Sequence, residues 1–225
     1  MLFTIKEKFK FLDSYIELVI NKKLNSLIIT GTSGVGKTWN VKRKITEMNA
    51  DVFYVKGYST PRALYDTLYK NRNKLLVFDD CDSIMEDKVA INILKGALDS
   101  YDDRVISWIS KTKDKSIPSQ FNFQGQVIFI SNLKMEDLDK AILSRALKID
   151  LTMTYDEKKE LMASILNDIK PEVDFFTKSL AFSTLVESTT NEDYVNIRTL
   201  EQAITLVENF PNDYEAQIRF MLTTL

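Results

Sequence analysis

One ten-residue stretch constrains the fold of this chain more than any other part: Thr30–Trp39, which reads T-G-T-S-G-V-G-K-T-W. Two glycines bracket four residues and are followed by lysine and threonine, which is the spacing of a P-loop, G-x-x-x-x-G-K-[ST]. Glycines let the backbone curl closely around a polyphosphate, and the helix that follows directs its N-terminal amides toward the same phosphates. The pattern predicts a nucleoside triphosphate site formed by Gly31, Ser33, Gly34, Val35, Gly36, Lys37, Thr38 and Trp39.

The segments on either side of this motif give it the required setting. Leu27–Ile29 reads as a short buried strand and Val41–Met48 as a helix, so the motif lies in a strand–loop–helix unit. In such a unit Lys37 is expected to reach the β- and γ-phosphates, and the Thr38 hydroxyl is expected to ligate Mg²⁺. A chance match would lie in a flexible loop without this setting.

A second motif lies in Lys74–Asp82, which reads K-L-L-V-F-D-D-C-D. An unbroken apolar run that ends in carboxylates is typical of a buried parallel strand whose C-terminal end opens on a ligand crevice. This is the form of a Walker B segment, in which Asp79 would hold Mg²⁺ and Asp80 would orient or deprotonate the attacking water. The alternative is an acidic loop after a core strand. Asp82 is expected to cap a helix or to face solvent rather than to take part in catalysis.

Strands and helices are predicted to alternate as far as residue 151, and helices alone to follow. Predicted strands are Asp51–Lys56, Gln126–Ile130 and Ala146–Leu151, and predicted helices are Phe9–Ile20, Pro61–Tyr69, Val89–Ser100 and Met135–Leu143. Residues 104–123 read as a hairpin that projects from the domain. Beyond the change of pattern, a capping box at Thr154 and Glu157, a proline at position 171 and Asn196 are expected to open successive helices.

Composition limits the chemistry that this chain can perform. A hydrophobic content of 44% and a charged content of 28% are typical of a soluble globular protein, and no apolar run approaches the length of a membrane span. With one cysteine and no histidine, an intramolecular disulfide, a zinc site of the usual kind and histidine-based catalysis are excluded. A general base must therefore be a carboxylate, and a cytoplasmic location is the default expectation. The net charge of −2 gives no global attraction to nucleic acid.

In their order along the chain, these pieces resemble the AAA+ ATPases. The matching segments are Gly31–Thr38, Leu75–Asp82, Val127–Asn132, Ala141–Asp150 and Asn196–Ile204. The resemblance implies an α/β fold in which residues 26–151 form a three-layer αβα sandwich with a parallel sheet, and residues 152–225 form a helical lid. Residues 1–25 would be a preceding helical segment. It also implies Mg²⁺-dependent hydrolysis of ATP by a homo-oligomeric ring, usually a hexamer.

The resemblance assigns roles to three further polar residues. Asn132 looks like sensor 1, Arg145 like the arginine finger that acts on a neighbouring subunit's nucleotide, and Arg198 like the sensor 2 arginine of the lid. An arginine placed beside a transferring phosphoryl group can raise the rate by about 10³–10⁵. The plainer alternatives remain open: Asn132 as a turn former, and both arginines as surface cations at helix ends.

Two classes of function remain open at this point. The first is a ring that remodels a protein or a protein–nucleic-acid complex, and the second is a clamp-loader or helicase-loader type of assembly switch with slow turnover. Two aspartates end the Walker B segment where many AAA+ motors carry Asp-Glu, and this mildly favours the switch.

The segment after Trp108 contains three candidates for nucleic-acid contact, Lys111, Lys113 and Lys115, although a solvated loop explains them as well. A small-molecule kinase would leave Arg145 and the helical tail unexplained. A GTPase is disfavoured because no Asp-x-x-Gly follows the Walker B strand of this chain. The chain resembles compact virus- or plasmid-borne members.

Overall fold

A computed structural model describes residues 3–101, 103–109, 117–189 and 191–223. The helices and strands of the first part of the chain are α1 (Ile5–Ile20), β1 (Ser26–Thr30), α2 (Lys37–Glu47), β2 (Val52–Lys56), α3 (Pro61–Lys70), β3 (Leu75–Asp79), α4 (Asp82–Glu86), α5 (Lys88–Leu98), β4 (Val105–Ser107), β5 (Gln120–Asn122), β6 (Gln126–Ile130), α6 (Lys140–Leu143) and β7 (Leu147–Asp150). These are followed by α7 (Tyr155–Ile165), α8 (Phe175–Ser188), α9 (Ile197–Asn209) and α10 (Tyr214–Thr223).

Among the described residues, a parallel sheet is formed by five strands in the order β2-β3-β6-β1-β7. The residues of β1, β3 and β6 are buried along the whole length of each strand, as expected of central strands in a parallel sheet that is covered on both faces. In the register of the sheet, Asp79 lies opposite Lys56 on one side and Ile130 on the other. The segments that leave β1, β3 and β6 therefore start from the same edge. The predicted α/β class with a parallel sheet is confirmed.

The predicted hairpin exists, but its strands do not project. In the described part of this segment β4 and β5 pair antiparallel, and each turns one buried residue inward, Ile106 and Phe121. Tyr65 of α3 lies edge-on to Phe121 with ring centroids 5.2 Å apart. The alternation that indicated two strands is thus the signature of a face packed on the core. Lys111, Lys113 and Lys115 lie outside the described residues.

Two predicted helices differ from the structure. The segment Met135–Leu143 is a 3-10 turn (Met135–Asp137) followed by α6, because Asp139 leaves helical geometry and its carboxylate accepts from Ala141 N at 2.9 Å. Helix α8 begins at Phe175 and not at the proline of position 171, because the Asp174 side chain accepts from Thr177 N at 2.9 Å and caps the helix.

The chain divides into two compact units. One contains Lys6–Gly31 and Lys37–Leu151, and so includes the sheet. The other unit includes Thr32–Gly36 and the chain from Thr152 onward. The core of this unit is formed chiefly by α8, α9 and α10. The predicted capping box of Thr154 and Glu157 opens α7. No helix in the described ranges is long and apolar enough to cross a membrane.

Candidate nucleotide-binding site

The P-loop begins at a glycine that no other residue could replace without rearrangement. Gly31 has a φ of +136°, and a Cβ built on it would lie 2.6 Å from the carbonyl carbon of Leu151, the residue after β7. Gly36, at the other end of the loop, has a φ of 85°. Both ends of the loop therefore need the left-handed backbone that glycine adopts without strain.

The P-loop lysine is buried and directed at the edge of the sheet. Lys37 is 6% exposed, and its Nζ donates to Gly31 O at 2.6 Å and to Asn132 Oδ1 at 2.8 Å. Both of these acceptors are neutral oxygens, and one of them belongs to the loop after β6. The lysine thus joins the start of the P-loop to a residue 95 positions further along the chain.

Next to the lysine, Thr38 Oγ1 donates to Asp79 Oδ1 at 2.7 Å. The carboxylate of Asp79 is buried, and its Oδ2 makes no hydrogen bond of acceptable geometry with the described residues. Lys56 Nζ does approach Oδ2 to 2.9 Å. This contact is an ion pair, because Coulomb attraction depends on distance far more than on angle. A hydroxyl and a carboxylate in contact are hard oxygen ligands of the kind that Mg²⁺ takes from P-loop proteins, so the donor set fits this metal.

Directly after β3, Asp80 occupies an unusual backbone conformation. Its φ is +56°, in the left-handed region that few residues other than glycine, asparagine and aspartate adopt readily. Its carboxylate is exposed, and Oδ1 accepts from Asn132 Nδ2 at 3.0 Å. Asn132 therefore binds Lys37 through its oxygen and Asp80 through its nitrogen, which fixes the orientation of its amide.

Asp82 departs from the expectation that it caps a helix or faces solvent. It is the first residue of α4, which is preceded by Cys81 at the cap position, and it accepts from the hydroxyl of Ser131 at 2.6 Å. Between the two aspartates, burial raises the pKa of the Cys81 thiol to about 11. The thiol is therefore protonated at neutral pH and is not a nucleophile.

Within the second unit, the tip of the P-loop is bound to the start of α9. Ile197 N donates to Gly34 O at 3.0 Å, and Arg198 Nη1 donates to Ser33 Oγ at 3.3 Å. Gly34 has a φ of +74°, and a Cβ on it would lie 2.7 Å from the Asn196 side-chain oxygen. That oxygen caps the helix by accepting from Arg198 N and Thr199 N. The first amides of α9 are thus satisfied by Asn196 and by the P-loop together.

Two other predicted residues have surroundings of their own. Arg145 donates to Ala141 O at 2.8 Å and lies 3.6 Å from the Asp99 carboxylate. Both of these contacts lie within its own chain. Trp39 is 61% exposed, and the Arg43 guanidinium lies 5.5 Å from its ring centroid. Neither contact involves Lys37, Thr38 or Asp79.

The structure brings most of the predicted residues together, in two groups. The first group contains the hydrogen-bonded series Lys37–Asn132–Asp80 and, next to it, the pair Thr38–Asp79. The second contains Ser33, which accepts from Arg198, and Gly34, which accepts from Ile197. Sequence reasoning missed three further polar residues beside the first group: Lys56, which pairs with Asp79; Asp82, which accepts from Asn132 N; and Ser131, which donates to Asp82. Their signal was position: Lys56 ends the strand beside β3, Asp82 lies two residues after Asp80, and Ser131 directly precedes Asn132.

Comparisons with known proteins place this geometry in context. The model of the family "ATPase family associated with various cellular activities (AAA)" matches residues 27–155. Over 174 residues the chain is 29% identical to an uncharacterized 36.7 kDa protein from the nrdC-mobD intergenic region of Enterobacteria phage T4. The match covers 68% of this chain and 53% of that relative, so it spans about half of the relative's length.

Among solved structures, the fold is similar to that of the Thermotoga maritima RuvB Holliday junction branch migration motor. The TM-score is 0.59 and the sequence identity 16%, over 97% of this chain and 69% of the other. At this level of identity the similarity bears on the fold alone.

Proposed function

The chain belongs to the AAA family of ATPases, and from this we propose that it binds ATP with Mg²⁺, hydrolyses it and works as a homo-oligomeric ring. The single observation that carries the proposal is the hydrogen-bonded series from Lys37 through Asn132 to Asp80, next to the Thr38–Asp79 pair. These residues supply a cation, a polar bridge, a carboxylate and hard metal ligands. Phosphoryl transfer to water requires these groups.

Each group has a defined task in this proposal. Lys37 binds the β- and γ-phosphates, and Asp80 orients the attacking water and accepts its proton, since no histidine is present to do so. Asn132 holds the carboxylate of Asp80 at a fixed distance from Lys37 and hydrogen-bonds the water or the γ-phosphate. Asp79 and Thr38 would hold Mg²⁺, which neutralises charge on the phosphate oxygens when it is bound.

Two arginines complete the proposal. Arg198, which bonds Ser33, would contact the phosphates of a nucleotide held by the P-loop tip, as the sensor 2 residue of the family does. Arg145 would act as the finger on the nucleotide of an adjacent subunit. In that state its guanidinium exchanges the contact with Asp99 for a phosphate, which is a change of one anionic partner for another.

We further propose that the ring remodels a protein or a protein–nucleic-acid complex. The RuvB neighbour is named as a Holliday junction branch migration motor, which supports the inclusion of nucleic-acid complexes among the substrates to be tested. The phage relative supports a virus-encoded setting.

Light scattering and subunit mixing test this function. We expect the Asp80→Asn protein to convert to a ring of about six subunits on addition of ATP and Mg²⁺, while without nucleotide it stays smaller. We expect Arg145→Ala to abolish hydrolysis and to leave ATP binding intact, and a mixture of Arg145→Ala with Lys37→Ala to recover part of the activity. Arg219→Ala, at an exposed position of α10, is the matched control. A monomer under every condition would overturn the ring.

A second candidate is an assembly switch of the loader type, in which ATP binding assembles a complex and turnover is slow. The observation that favours it is the short carboxylate of Asp80, which is already hydrogen-bonded to Asn132. A switch predicts ATP-dependent assembly with little turnover even when partners are added.

If Lys111, Lys113 and Lys115 contact nucleic acid, replacing all three by glutamine will weaken DNA binding and flatten its dependence on salt. Unchanged binding would contradict that contact.

A further inference from the structure

A hydrogen-bonded cluster next to the proposed catalytic residues has no role in the function described so far. Asp82 Oδ1 accepts from Ser131 Oγ at 2.6 Å, and its Oδ2 lies 3.4 Å from the backbone nitrogen of Asn132. The Ser131 side chain is fully buried, and its oxygen also accepts from Leu133 N at 3.0 Å. The serine hydroxyl is therefore used both as donor and as acceptor.

These contacts hold the backbone of Asn132 from both sides. The Ser131 hydroxyl ties the residue before Asn132 to Asp82, and through Leu133 N it also ties the residue after it. Two carboxylates on either side of Cys81 thus act on one asparagine. Asp80 accepts from its side chain, and Asp82 holds its main chain.

The strength of the main contact follows from its charge. A hydroxyl that donates to an ionised carboxylate at 2.6 Å makes a charge-assisted hydrogen bond, which is about twice as strong as a neutral one. Replacement of Asp82 by asparagine keeps the size of the side chain and one acceptor oxygen, but removes the charge. The amide that replaces Oδ2 cannot accept from the N–H of Asn132.

We propose that Asp82, acting through Ser131, is a positioning residue that sets the orientation of the Asn132 amide between Lys37 and Asp80. This inference rests on the proposed hydrolysis of ATP, in which Asn132 contacts the reacting groups. A displacement of about 1 Å in such a group can lower a rate by about 10²-fold, so the effect of Asp82 is expected on turnover rather than on ATP binding.

The first test is kinetic. We expect Asp82→Asn and Ser131→Ala each to lower kcat by roughly ten- to a hundredfold while the KM for ATP stays within about threefold. Glu86→Gln, the same charge change at an exposed position of α4, is the matched control and should behave as the unchanged chain. In an Asn132→Ala background, Asp82→Asn should cause no further fall, because its effect passes through the asparagine. A full further fall in that background, or a normal kcat for Asp82→Asn alone, would overturn the proposal.

The second test does not depend on hydrolysis. The side-chain amide signal of Asn132, assigned by its loss in Asn132→Ala, should shift in the NMR spectrum of Asp82→Asn and Ser131→Ala and stay in place in Glu86→Gln. An unshifted signal would overturn the positioning role. If the unchanged chain hydrolyses no ATP, the proposed function fails, whereas the NMR comparison still decides whether Asp82 orients Asn132.

Discussion

The Nδ2 atom of Asn132 lies 3.0 Å from a carboxylate oxygen of Asp80, so one hydrogen bond joins the ends of the adjacent strands β6 and β3. The oxygen of the same amide accepts from Lys37 at 2.8 Å. A residue that could have been a simple turn former is thus the link between the P-loop lysine and the proposed general base. Loss of either contact would leave a polar group at the sheet edge to find another partner.

The first prediction concerns this link. We expect Asn132→Ala to lower kcat by roughly 10²-fold and to change ATP affinity only a few-fold, because Lys37 and the P-loop still bind the phosphates. Steady-state kinetics together with a binding titration would measure both quantities. Asn122→Ala, at an exposed position of β5, serves as the control. An equal loss in affinity and turnover would mean that Asn132 supports binding and not the chemical step.

The second prediction separates activity from stability at Asp80. Asp80→Asn and Asp80→Gly should both abolish measurable hydrolysis, since the asparagine amide is not a base and glycine has no side chain to accept a proton. Neither should lower the free energy of unfolding by more than about 1 kcal/mol, because both residues tolerate a φ of +56°. Thermal unfolding and a phosphate-release assay on the same preparations test the two statements. Hydrolysis by Asp80→Gly at the normal rate would remove Asp80 from the mechanism.

The third prediction concerns the metal. Chelation of Mg²⁺ should stop hydrolysis, and Thr38→Val should raise the Mg²⁺ concentration needed for half-maximal activity by tenfold or more. Thr38→Ser, which keeps the hydroxyl that contacts Asp79, should need little more Mg²⁺ than the unchanged chain. Thr46→Val tests the same substitution at an exposed position of α2. If the valine and serine variants require equal Mg²⁺, the Thr38 hydroxyl is not a ligand.

The fourth prediction concerns the tip of the P-loop. Gly34→Ala should lower the free energy of unfolding by about 1–3 kcal/mol, because alanine is strained at this positive φ and its Cβ meets the Asn196 side chain. Gly57→Ala isolates the strain, since Gly57 has a φ of +77° and no described atom lies within 4 Å of a Cβ built there. The difference between the two variants measures the contact with Asn196.

A second substitution tests the same contact from the other side. Asn196→Gly removes the three side-chain atoms that lie within 2.8 Å of the added Cβ, and glycine is a tolerated N-cap, so it should recover part of the stability lost in Gly34→Ala. Denaturant unfolding of the single and double variants gives the coupling energy. Strict additivity of the two changes would show that Gly34 and Asn196 do not interact.

Local sequence signals predicted the parts of the fold that depend on them. The run Gln126–Ile130 is buried on both faces and matches β6 at both ends, and Asn196 caps α9 as its side chain indicated. The break at Asp139 was missed because apolar residues continue at helical spacing on both sides of it, and that spacing does not show that the Asp139 carboxylate caps α6. Periodicity cannot distinguish these outcomes.

The candidate site was predictable to the extent that motif spacing defines it. Spacing predicted Lys37, Thr38 and Asp79 as residues that bind the nucleotide and Mg²⁺, and the structure places Thr38 in contact with Asp79. It placed Asp82 two residues after Asp80 but could not identify its partner, Ser131, which lies 49 residues away and is brought close by the pairing of β3 with β6. It also gave no reason to expect that Ile197 donates to Gly34, a contact between a helix start and a loop far earlier in the chain.

The left-handed backbone at Asp80 restricts which amino acids evolution or a designer can place there. Glycine, asparagine and aspartate are the residues that enter this region most readily, and of these three only aspartate carries a carboxylate. The Asp-Asp ending of the Walker B segment therefore fits the backbone conformation of this turn. Glutamate enters this region less readily, at a cost of about 1–2 kcal/mol, so the backbone of this turn, as well as the chemistry, favours the shorter acid.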